Sequence, residues 1–152
     1  MLAVLLLDCE PGADEVWRPQ PLHESVSLLS GARILLAEDD AVVRGMVQRI
    51  LFEQGCEVHA ARHGEEALGL ALQAVSPFDV VVTDVRMPRM GGWELGRFLG
   101  DRWPELPILY ISGWDSELVQ DAHQGGRRHA FLRKPFDPSD LVSHIERLLR
   151  RP

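Results

Sequence analysis

The chain of 152 residues contains no asparagine, a single threonine (Thr83) and a single lysine (Lys134). These scarcities exclude several activities. A phosphate-binding P-loop needs Gly-Lys-Ser/Thr, and the one lysine follows Arg133. A protein-kinase fold needs a strand lysine and a catalytic-loop asparagine, and the second is missing. The chain is therefore not expected to be an ATP-driven kinase by itself. Only two cysteines occur, Cys9 and Cys56, with no paired metal or redox spacing, so a reduced cytoplasmic compartment is expected. No long hydrophobic run is present. Leu2 to Leu7 is far short of the roughly 20 residues that a membrane helix needs. It lacks a basic flank and Asp8 follows at once, so neither a secretory signal nor membrane contact is expected.

Positive charge is also in deficit. Sixteen basic side chains face 23 acidic ones, a formal charge of −7, which argues against attraction to nucleic acid. Fifteen of the sixteen bases are arginine, a bias that carries no functional weight alone. A hydrophobic fraction of 45% with 26% charged residues fits one globular domain with a core that needs no staple.

Residues 1–30 hold five acids against one base, together with Pro11, Pro19 and Pro21, and form an arm or linker with a possible short strand at Leu2–Leu7. Residues 31–150 form the domain. Arg33–Ala37 is a short apolar run ending in Glu38-Asp39-Asp40. Val43, Val47, Ile50 and Leu51 mark a helix face that Gly55 closes. Further strands are expected at Glu57–Ala60, Asp79–Thr83, Pro107–Ile111 and His129–Arg133. Helices are expected over Glu65–Ala74, near Trp93–Arg102, over roughly Ser116–Gln124, and from Pro138 with Asp137 as N-cap. Five strands alternating with five helices imply an α/β, doubly wound parallel sheet with helices on both faces. Apolar strands without in-out alternation fit a sheet buried on both sides. In such sheets ligands bind beyond the carboxyl ends of the strands.

The residues at those ends make one set. Glu38 and Asp39 end the first strand and Asp84 follows the third. Ser112 ends the fourth and Lys134 the fifth. Clustered carboxylates repel one another unless a cation joins them. Oxygen ligands at a partly hydrated site suit Mg²⁺, with Mn²⁺ as a substitute. A lysine and a hydroxyl beside such a metal suit an incoming phosphoryl group, and a carboxylate nucleophile gives an aspartyl-phosphate.

The stretches ILLAEDD at 34–40, VVVTDVRMPRMGG at 80–92, ILYISG at 108–113 and FLRKPF at 131–136 resemble the receiver domain of two-component response regulators. PILYISGW further resembles the receivers at the C-terminal end of hybrid sensor histidine kinases. The resemblance covers about residues 31–150 and implies a flavodoxin-like sheet of strand order 2-1-3-4-5. It implies Asp84 as phosphoacceptor, Asp39 as direct Mg²⁺ ligand, Glu38 as second acid through water, and the backbone carbonyl of Arg86 as a further metal ligand. Ser112 would be the switch hydroxyl and Lys134 the phosphate-binding base. The Lys134-Pro135 peptide would be cis. Phe131 stands at the switch aromatic, where tyrosine is common. A phenyl ring cannot donate a hydrogen bond, so a switch here rests on packing. Glu38 replaces the commoner Asp, and Gly91-Gly92 the usual Asp-Gly. The implied partner is a histidine kinase or histidine phosphotransfer protein, and a homodimer stays open. The chain ends at Pro152, with no DNA-binding output domain expected.

Each element also has a plain structural reading. Asp40 can be an N-cap, Ser112 a turn residue and Lys134 a solvated edge charge. The competing function is a non-phosphorylated interaction module that keeps only the fold. A hydrolase on the same fold would need a base, and the histidines avoid the strand ends. His59 and His63 fall across a strand end and do not make a metal pair. Trp93 and Trp114 flank the site, and Tyr110 reads as core edge.

Overall fold

The computed structural model describes residues 27–113 and 128–150. In chain order these form β1 (Arg33–Ala37), α1 (Ala41–Glu53), β2 (Glu57–Ala61), α2 (Gly64–Gln73), β3 (Val80–Asp84), α3 (Gly92–Arg102), β4 (Ile108–Ser112), β5 (His129–Arg133) and α4 (Pro138–Leu149). The expected helix at Ser116–Gln124, the strand at Leu2–Leu7 and Trp114 lie outside the described residues. The sheet runs β2-β1-β3-β4-β5, and every pair is parallel.

The central strands β1, β3 and β4 are buried on both faces, which explains their apolar runs, whereas the edge strands β2 and β5 are mostly half-buried. Successive side chains point to opposite faces. Along β1, Ile34 and Leu36 join the core beneath α1 and α4, with Val47, Leu51, Leu141 and Ile145. Leu35 and Ala37 join the core beneath α2 and α3, with Ala67, Ala71, Leu95 and Leu99. Packing reaches back before β1. A turn over residues 28–31 leads into the strand, Leu29 is fully buried, and its carbonyl accepts the Cys56 thiol at 3.3 Å.

Two strands start one residue later than the apolar pattern implies, for local reasons. Pro107 has no N–H for the ladder, so it contributes only its carbonyl, to Val81 N at 3.0 Å. Asp79 donates its N–H to the Arg33 carbonyl at 2.8 Å, but the Arg33 N–H goes to the Asp79 carboxylate at 2.7 Å rather than to a backbone carbonyl. Both strands also run one residue further at the other end, where Asp84 and Ser112 are terminal strand residues. The helix starts are explicit. Asp40 accepts from Val42 N at 2.8 Å and Val43 N at 3.1 Å, so it is the N-cap of α1. His63 caps α2 through Nδ1, which accepts from Glu66 N. Gly55 follows the C-cap of α1 at φ +83°, a left-handed conformation that favours glycine. Among the described residues no helix is long and apolar enough to cross a membrane.

Candidate functional site at the strand ends

Parallel pairing aligns the carboxyl ends of β1, β3, β4 and β5, so residues distant in sequence meet at one edge. One carboxylate oxygen each from Glu38, Asp39 and Asp84 lies within 4.8 Å of the others. Lys134 Nζ reaches into this group and donates to Glu38 Oε2 at 3.0 Å and to Asp84 Oδ2 at 3.1 Å. Glu38 is 2% exposed, whereas Asp39 faces solvent. The site is thus a graded funnel, with an open acid, a nearly buried one and a fully buried one over a shared ammonium.

Backbone groups hold these side chains in place. Glu38 Oε1 accepts from Asp40 N at 3.1 Å, and Asp84 Oδ1 from Arg86 N at 3.3 Å. Arg44 Nη1, on α1, donates to the carbonyls of Glu38 at 2.8 Å and Asp39 at 3.3 Å, which braces the acidic turn from beneath. Lys134 N donates to the Ser112 carbonyl at 2.9 Å, so the lysine and the half-buried serine share one corner. The Lys134-Pro135 peptide is cis.

Electrostatics follow from this crowding. Burial pushes the Glu38 carboxyl up to about 7; the Lys134 hydrogen bond opposes that rise and the Asp84 charge adds to it. For Lys134, burial works against the ammonium, but Glu38 and Asp84 outweigh it and hold its pKa above the usual lysine range. Three carboxylates against one ammonium leave an excess of negative charge. An all-oxygen donor set with that excess fits a hard divalent cation, so the cluster can bind a metal.

The expected set divides in two. Glu38, Asp39, Asp84 and Lys134 converge, with Ser112 and Arg86 tied to them through backbone bonds. Phe131 lies apart, in a ring stack. Its centroid is 5.3 Å from Tyr110 and 5.6 Å from Trp93, and Trp93 lies 4.5 Å from Tyr110. Tyr110, expected at the core edge, is 2% exposed. His59 pairs with Glu57 at 2.6 Å and His63 meets Arg89 at 3.3 Å, so neither belongs to the cluster.

Sequence reasoning missed two contributors. Arg44 carried no signal, because an arginine on a helix is ordinary. Gly92 was visible only as the second residue of the Gly91-Gly92 pair, where the resembling pattern has glycine too. A Cβ on it would overlap the Asp84 carbonyl oxygen, so glycine alone lets the start of α3 approach the end of β3.

The profile of the response regulator receiver domain family matches residues 34–146. Response regulator MprA of Mycolicibacterium vanbaalenii is 39% identical over 119 residues, covering 78% of this chain and 51% of that protein. Sensor kinase CckA of Brucella abortus is 30% identical over 134 residues, covering 88% of this chain and 14% of the kinase. The chain spans about half of the first relative and a small part of the second. The solved structure of Vibrio cholerae chemotaxis protein CheY4 superimposes with a TM-score of 0.71 at 32% identity, covering 79% of this chain and 100% of that one.

Proposed function

The chain belongs to the response regulator receiver domain family, and on that premise we propose that it receives a phosphoryl group on Asp84 in a two-component phosphorelay. The observation that carries this reading is the Lys134 ammonium held at 3.0 Å from Glu38 and 3.1 Å from Asp84, inside a cluster of three carboxylates. The Asp84 carboxylate attacks phosphorus. A bond from its oxygen to phosphorus forms as the phosphorus–nitrogen bond of a phosphohistidine breaks, and the imidazole leaves. Lys134 can turn from Asp84 to an oxygen of the transferred group, and the Ser112 hydroxyl donates to another.

Mg²⁺ fits the donor set, with Asp39 and Asp84 as direct ligands, Glu38 acting through water and the Arg86 carbonyl completing the protein side. Bound there, the ion supplies positive charge to the phosphoryl oxygens. The partner is a histidine kinase or histidine phosphotransfer protein, and the compartment is the cytoplasm. The chain acts as acceptor, with slow self-dephosphorylation as its only catalysis. Phe131 makes the conformational response a matter of ring packing, since it has no hydroxyl to exchange.

Incubation with acetyl phosphate and Mg²⁺, read by intact mass, tests the reading. The native chain should gain one phosphoryl mass and Asp84→Asn none. No gain in the native chain, or an equal gain in the variant, rejects it in favour of a phosphorylation-independent interaction module.

A further inference from the structure

The N-terminal ends of the strands, at the pole opposite the carboxylates, carry a second concave feature. A cavity of about 610 Å³ lies between the ends of α2 and α3 and the segments leading into β3, β4 and β5. Its wall is mainly apolar, with Leu72, Val75, Phe78, Trp103 and Leu106. Val75 is fully exposed and Leu72 is 60% exposed. Exposed aliphatic side chains around a recess of this size mark a surface built to be covered. Charged side chains, Asp79, Arg102, Glu105 and Arg128, sit beside this apolar floor, a mixture that suits a peptide with an apolar run and flanking charges.

We propose that this groove seats the apolar segment Leu2–Leu7 of the same chain. Three observations select that occupant. First, residues 2–7 (LAVLLL) are six consecutive apolar residues, too short for a membrane and unexplained by the site at the other pole. Second, the chain enters the described fold at the groove's own pole. Ser27–Ala32 leads into β1, and the first strand residue, Arg33, donates through Nη1 to the carbonyls of Ser76 and Pro77, both of which line the groove. The 19 residues 8–26 can span about 60 Å when extended, well beyond the distance from β1 to β4. The tether supplies an effective concentration in the millimolar range, so a modest apolar contact is enough. Third, the charges are complementary. Asp8 and Glu10 follow the apolar run, and the rim carries Arg102 and Arg128, the second of which also donates through Nη2 to the carbonyls of Leu148 and Arg150. Of the rim acids, Asp79 is already bound by the Arg33 N–H, which leaves Glu105 as the opposing charge.

The chain offers its own probe. Cys56 is buried, and burial pushes its thiol up to about 11, so a maleimide nitroxide at neutral pH attaches to Cys9. In the full-length ¹⁵N-labelled protein, diluted into excess unlabelled and untagged chain, the nitroxide should broaden the amides of Leu72, Val75 and Trp103. Those of Asp39 and Lys134, at the far pole, should stay sharp. Leu5→Asp in the arm and Val75→Asp on the groove wall should each abolish the broadening while the rest of the spectrum is kept. Absent or unselective broadening, or broadening that survives both variants, overturns the proposal. So does broadening seen only when tagged, unlabelled chain is mixed with untagged ¹⁵N chain, which would make a second copy the occupant.

Discussion

Replacing Asp84 with asparagine should change stability in a direction that depends on pH. In the metal-free protein Asp84 gains from Lys134, 3.1 Å from its Oδ2, and loses to Glu38 and Asp39, one oxygen of each lying within 4.8 Å of one of its own. At an effective dielectric near 20, the attraction is worth about 5 kcal/mol and each repulsion at least about 3.5 kcal/mol. With both neighbours ionised, the negative charge on Asp84 is unfavourable by about 1–2 kcal/mol, and removing it by Asp84→Asn should stabilise the fold by that amount. Glu38 is ionised only above about 7. Its raised carboxyl favours the folded chain at acid pH, and that contribution disappears as pH rises from 4.5 through about 7. Below pH 6 one repulsion is therefore gone, the Lys134 attraction prevails, and the same substitution should destabilise by up to about 2 kcal/mol. Urea denaturation of the native chain and the variant in EDTA, at pH 8.5 and pH 5.5, reads both values. A variant less stable at pH 8.5, or a difference that does not move with pH, would refute the charge balance described for this cluster.

Other consequences are as specific. Lys134→Met removes the one ammonium facing a buried and a nearly buried carboxylate, and should cost about 3 kcal/mol at pH 8.5 in EDTA, much of it recovered on adding Mg²⁺. Asp40→Ala should cost about 1 kcal/mol through the lost N-cap of α1, yet leave the phosphoryl mass gain from acetyl phosphate intact. Gly92→Ala forces a methyl group into the Asp84 carbonyl and should lower stability by about 2 kcal/mol in a thermal melt. In a Cys9→Ser chain, Cys56 should resist a thiol reagent at pH 8 until denaturant is added. Its raised pKa also means that its contribution to stability is intact below about 9 and is lost as pH climbs through about 11.

Much of the architecture was legible because its causes are local. An apolar run flanked by acids or glycine reads as a buried strand wherever it occurs. Asp137-Pro138 announces a helix start by its own chemistry, and α4 begins at Pro138. Strand boundaries were less legible. The single-residue shifts of β3 and β4 depend on which N–H meets which carbonyl across the ladder, and on what Asp79 finds in Arg33. Asp40 shows the same limit from the other side. Next to Glu38 and Asp39 in sequence, it could be read as an N-cap, and that reading is decided only where its carboxylate turns toward the α1 backbone.

The sequence by itself determined the order of the described strands and helices, and hence that Glu38, Asp39, Asp84, Ser112 and Lys134 end up at the strands' carboxyl ends. Side-chain periodicity and turn chemistry act over a few residues and survive any change of context. Tertiary structure alone decided what those residues are to one another. Lys134 and Glu38 are 96 positions apart, and only the sheet order brings them to 3.0 Å. Only packing leaves Glu38 2% exposed and its carboxyl reluctant to ionise. Burial and through-space charge depend on distances that the chain sets when it closes on itself, and no local pattern records them.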